Sequence, residues 1–119
     1  MKKLSLIAAA VMLAACAEKA PLTPEQQWQG YCKSVGNAGR TIMLDRQNGI
    51  TKEKAVEHAA KVEDETTRTF VLDAIEQVYA MPLAEINDDV TARREAFKIV
   101  MTEKCIATPY TDMPDYKPF

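Results

Sequence analysis

Few side chains in this chain could carry chemistry. Cys16, Cys32 and Cys105 are its sulfur nucleophiles and candidate metal ligands, and His58 is its one histidine. Serine occurs only at Ser5 and Ser34. A catalytic triad or a metal centre needs a histidine held among partners of definite geometry. His58 lies between Glu57 and Ala59, off the apolar stripe expected of its helix, and no spacing brings Ser34 to it. It reads as an exposed helix histidine. Carboxylates are plentiful, but Glu53/Glu57 and Asp73/Glu76 sit at the spacing found on any solvated helix face. Nothing marks one of them for burial, which acid–base work requires. Gly30, Gly36, Gly39 and Gly49 match no phosphate-binding fingerprint, and no strand precedes them. No catalytic residue, cofactor or metal is expected.

The chain has 119 residues and a formal charge of −2, within the range of one domain. Its start differs from the rest. Lys2 and Lys3 precede a nearly unbroken apolar run, Leu4 to Ala15, interrupted only by Ser5. Such a pattern describes a secretory signal. The run is too short for a bilayer core of about 30 Å, which needs about 20 helical residues.

The run ends in Leu13-Ala14-Ala15-Cys16, which resembles the lipobox of bacterial lipoproteins. The resemblance implies that a diacylglyceryl group alkylates the Cys16 thiol. A peptidase then cuts before Cys16, and the new amino terminus is acylated. Two or three acyl chains make an anchor stable where one is marginal. Loss of residues 1–15 removes two lysines and no acid, taking the formal charge to −4. An acidic domain without a basic cluster is a poor nucleic-acid binder. Ala17 follows the lipidated position, and the sorting scheme that comes with the resemblance then favours the outer membrane over the inner one.

With Cys16 assigned to lipid, Cys32 and Cys105 remain as an even pair in an exported chain. In an oxidising compartment the simplest assignment is one disulfide, stabilising by roughly 4 kcal/mol on the chain-entropy model. Zinc bound by Cys32, Cys105 and His58 ranks below it. The disulfide requires the first and last helices to be neighbours.

The elements that position these residues read as helices throughout. Residues 16–23 form a tether. Thr23-Pro24-Glu25-Gln26 is a capped helix start, and Trp28, Cys32, Val35, Gly39 and Ile42 follow on one face. Gly36 and Asn37 invite a break, and Gly49 ends the helix. A second helix is expected over 52–63 with Ala55, Ala59 and Val62 inward. Glu63-Asp64-Glu65 reads as its solvated end and also places acids near the start of the following helix, where the macrodipole favours them. A third is expected from Thr67 to Met81, with Phe70, Val71, Ala74, Ile75, Val78 and Tyr79 as its stripe and Pro82 as its stop. Asn87 and Asp88 begin the last, whose buried face is Val90, Phe97, Val100, Met101 and Cys105. The expected fold is all-α, a small bundle of four or five short helices stapled by one disulfide. The domain covers 24–107, followed by a Pro-rich tail, 108–119, read as folding back through Tyr110.

Residues 36–49 pass from small to apolar to polar. Close packing at Ala38 and Gly39, with Arg46 serving carbonyls at the end of its own helix, is the favoured reading. The other is a partner surface built from Arg40, Arg46 and Gln47. Tyr31-Cys32, Arg46-Gln47-x-Gly49, Val78-Tyr79-x-x-Pro82 and Phe97 with Cys105 resemble a group of small exported proteins of Gram-negative bacteria. That resemblance implies a helical fold with one disulfide and carries no activity.

The functional expectation is a lipid-anchored, periplasm-facing, non-enzymatic binding module. Its partners would be membrane lipid through Cys16 and a protein of the cell envelope, with no nucleic acid. An immunity or inhibitor protein and a periplasmic stress chaperone are the competing classes.

Overall fold

The computed structural model describes residues 20–113 and Tyr116. The expected signal segment 1–15 and Cys16 lie outside the described residues. Five helices follow: α1 (Pro24–Gln47), α2 (Lys52–Ala59), α3 (Glu65–Ala80), α4 (Leu83–Ile86) and α5 (Val90–Ala107), with a 3-10 turn over Tyr110–Asp112. No strand occurs among the described residues. The protein is an all-α bundle.

α1 opens on a capping box. The Thr23 hydroxyl accepts from the Gln26 amide at 3.1 Å, and the Gln26 side chain accepts from the Thr23 amide at 2.9 Å. It runs unbroken through Gly36 and Asn37. The expected break does not form because Gly36 is the place where α5 comes closest. A methyl group there would meet the Thr102 hydroxyl at 1.9 Å and the Lys98 carbonyl at 2.9 Å. At Gly39 it would meet the Met101 side chain at 2.8 Å. The close approach therefore uses Gly36 with Gly39, while Ala38 is half-buried beside it. At the other end the Ile50 amide reaches the Asp45 carbonyl at 2.9 Å and the Gly49 amide reaches Arg46 at 3.0 Å. Gly49 takes φ 90°, which completes a Schellman stop.

The second helix is shorter than the expected 52–63. It closes at Ala59, and the amides of Lys61 and Val62 make tight bonds to His58 and Ala59. Asp64 is no solvated end. It is the N-cap of α3, accepting from the Thr67 amide at 2.9 Å, so α3 starts two residues before expectation. α4 is one turn that the sequence pattern did not reveal, and its Ile86 is fully buried. α5 starts later than Asn87 and Asp88. Its cap is Asp89, at φ 45°, a left-handed conformation that Asp tolerates better than most residues.

Contacts set the topology. Cys32 pairs with Cys105, Gly36 with Thr102 and Arg40 with Glu95, so α1 and α5 are antiparallel. Tyr31 meets Thr67 and Arg46 meets Val78, so α1 and α3 run the same way. The core holds Trp28, Tyr31, Cys32, Val35, Ile42 and Met43 from α1, with Phe70, Ala74, Ile75 and Val78 from α3. Phe97, Met101 and Cys105 face them from α5. Val90 and Val100, expected in that face, are exposed at 41% and 46%. Buried positions on α5 recur every four residues, a narrower stripe than expected, and Val90 is the first residue of the helix. No helix among the described residues is long and apolar enough to cross a membrane.

Candidate functional site

Cys32 and Cys105 lie together at one end of the bundle. Cys32 and Cys105 are bonded, with Cα atoms 5.4 Å apart, and both are wholly buried. The sulfurs are therefore not available as ligands, and His58 stands on exposed α2. Among the described residues no group of His, Cys, Asp and Glu is arranged to hold a metal ion.

Aromatic rings surround the bond. Trp28 stacks on Tyr31 at 5.0 Å, and Tyr116 presents its ring edge-on to Trp28 at 4.9 Å. Tyr110 lies 6.3 Å from the indole. The tail thus folds back over the bundle through Tyr110, Met113 and Tyr116. Beneath the rings the Tyr31 hydroxyl and the Thr67 hydroxyl are 2.8 Å apart, and Thr67 donates onward to Asp64 at 2.5 Å. Burial raises the Tyr31 phenol above its ordinary value, the Thr67 hydrogen bond opposes this, and the charges of Asp64 and Tyr116 add to the rise. The sequence signal for this relay was the Asp64-x-x-Thr67 spacing of a helix cap.

The three residues of the candidate partner surface separate. Arg46 Nη1 donates to the Val78 carbonyl, and its guanidinium lies over the Tyr79 ring, 5.1 Å from the centroid. It serves the end of α3 and not of its own helix, whose carbonyls the Schellman bonds already satisfy. Gln47 Nε2 donates to the carbonyls of Ile86 at 3.3 Å and Val90 at 3.0 Å, fastening α4 and the start of α5 to α1. Arg40 stays at the surface, where its Nε meets Glu95 Oε1 at 2.6 Å. That hydrogen bond lowers the Glu95 carboxyl below the usual carboxylate range.

Surface clefts lie elsewhere. One, of about 420 Å³, runs between α1 and α5 past Lys33, Lys98 and Ile99. A second, of about 380 Å³, opens between α1, α2 and α3. Ile42, Ala59, Val62, Val71 and Ile75 form its apolar walls, and Asp45 and His58 are the ionisable groups on it. α2 covers it as a short flap packed chiefly on α3. Both ends of the flap are held: the Tyr79 hydroxyl donates to the Ile50 carbonyl at 2.6 Å and Arg68 donates to the Val62 carbonyl at 2.7 Å.

No family model, curated protein or solved structure matches the chain. The functional reading therefore rests on the chain's own residues. An apolar cleft with few polar groups suits binding, since apolar walls supply affinity and the polar groups fix orientation. Asp45 and His58 come from different helices, and no spacing in the sequence joins them.

Proposed function

We propose that the chain is an exported lipoprotein, anchored in a membrane through acylated Cys16, whose helical domain faces the periplasm as a non-enzymatic binding module. The observation that carries this reading is the N-terminal order of Lys2 and Lys3, the apolar run Leu4 to Ala15, and Leu13-Ala14-Ala15-Cys16. The buried Cys32–Cys105 bond supports it, because structural disulfides belong to oxidising compartments. So does the start of α1 at Pro24, with residues 20–23 before it outside any helix, as a tether requires.

The test is metabolic labelling with a palmitate analogue, followed by membrane fractionation of the native chain and Cys16→Ala. The native chain is expected to take up label, begin at Cys16 and sediment with the outer membrane. The variant is expected to lose all three properties. A Cys16→Ala protein that stays membrane-bound and is cut at the same place ends this reading. Cross-linking in intact cells would then identify the envelope partner.

A further inference from the structure

We infer that the cleft under α2 binds a small amphiphile: an apolar body between α1, α2 and α3, with a cationic amine against Asp45. The volume, about 380 Å³, lies at the lower end of the range of small-molecule sites. Its floor is well formed, since Ile42, Ala59 and Ile75 are 8%, 2% and 1% exposed.

Asp45 supplies the polarity. Its side chain is half-buried on the cleft and makes no hydrogen bond or ion pair among the described residues. Besides burial, its charge and that of Arg46 both act on the Tyr79 phenol, Asp45 raising it and Arg46 lowering it, but Arg46 makes its contacts elsewhere. Arg46, the next residue, turns to the Val78 carbonyl and the Tyr79 ring. Lys52 pairs with Glu76 at 2.9 Å. A carboxylate beside apolar walls, with its neighbouring cations turned elsewhere, is complementary to an ammonium group with a hydrocarbon tail. His58 stands on α2 at the rim, where a ring nitrogen can hydrogen-bond to a substituent of the ligand.

The inference rests on the binding-module reading and gives it a site and a ligand class. It does not depend on Cys16, so the labelling assay and the titration below fail separately. The probes are hexylammonium and hexanol, titrated into the full chain and followed by amide NMR. Hexylammonium is expected to shift resonances of residues 42–62 and 71–75 with millimolar affinity, as suits a fragment. Hexanol is expected to bind about tenfold more weakly, the difference made by one charge-assisted hydrogen bond. Asp45→Asn should abolish that preference, bringing hexylammonium down to the affinity of hexanol. Ala55→Leu, on the flap, should weaken both probes, with circular dichroism confirming the fold. Shifts located elsewhere, equal affinity for the two probes, or an Asp45→Asn chain that keeps the preference would each overturn the assignment.

Discussion

The indole Nε1 of Trp28 donates to the backbone carbonyl of Cys105 at 3.2 Å, joining residues 77 positions apart. The same carbonyl accepts from the Thr108 amide at 3.0 Å. Trp28 is the only tryptophan in the chain, so its emission reports directly on the last turn of α5 and on the disulfide beside it.

That reporter allows the disulfide to be measured. The bond joins residues 73 apart in sequence. Replacing both cysteines, Cys32→Ala with Cys105→Ala, is expected to reduce stability by about 4 kcal/mol through the freed unfolded chain. Urea unfolding followed through Trp28 gives the value. A loss below about 1 kcal/mol would contradict the loop-entropy account.

Two glycines of α1 should respond with opposite signs. Gly30→Ala meets nothing within 4 Å. It should stabilise the protein by about 1 kcal/mol through helix propensity alone. Gly36→Ala makes the same local change but drives a methyl into Thr102 and the Lys98 carbonyl. Overpacking of this kind costs about 1–3 kcal/mol, enough to outweigh the propensity gain. Thermal melts of the two variants decide it, and a Gly36→Ala chain as stable as Gly30→Ala would show that α1 and α5 are not in close contact.

Arg46 can be tested through the carbonyl it serves. Arg46→Met keeps the stem and removes the donors, leaving the Val78 carbonyl only the Met81 amide at 3.3 Å; loss of the hydrogen bond from a charged group costs about 1.5–3 kcal/mol. Arg46→Lys keeps the charge but not the planar group over Tyr79, and should fall between the two. Chemical denaturation of the three chains gives the order, and equal stabilities would refute the clamp.

Alkaline pH should weaken the fold through Tyr31. Burial holds its folded phenol above the ordinary value of 10.0. As pH rises past that value, the unfolded chain releases a proton that the folded chain retains, so stability is complete below it and declines above it. Tyr79, also raised by burial, adds to the decline. Tyr31→Phe should be less stable at neutral pH, for want of the Thr67 hydrogen bond, and less sensitive to alkali. Urea midpoints from pH 8 to 11 give the two slopes, and parallel slopes would remove Tyr31 from the account.

The face of α1 was legible because Trp28, Cys32, Val35, Gly39 and Ile42 repeat at helical intervals. α3 was legible for the same reason. Gly36 was not, since propensity records what a residue costs its own helix and not what another helix presses against it. Ile86 escaped because a single turn is too short to show a period. Asp64 was hidden in an acidic run that resembled solvated surface, although its distance from Thr67 is that of a cap. Val100 was placed one step too far round α5, where Met101 carries the burial. The cleft was out of reach altogether: Asp45 and His58 meet around it only because the turn at Gly49 folds α2 back over α1 and α3.

The Cys32–Cys105 bond also decides how the domain bears tension. Pulled between Ala20 and Tyr116, the chain transmits force along Pro24 to Cys32, across the sulfur bridge, and out through Cys105 to the tail. Residues 33–104 are bypassed by a covalent short circuit. Only the first two turns of α1 and the segment after Cys105 can be peeled away. The Arg46 clamp and the whole cleft lining sit inside a closed loop, mechanically insulated from whatever holds either end, whereas Tyr31, one end of the relay, lies just outside it.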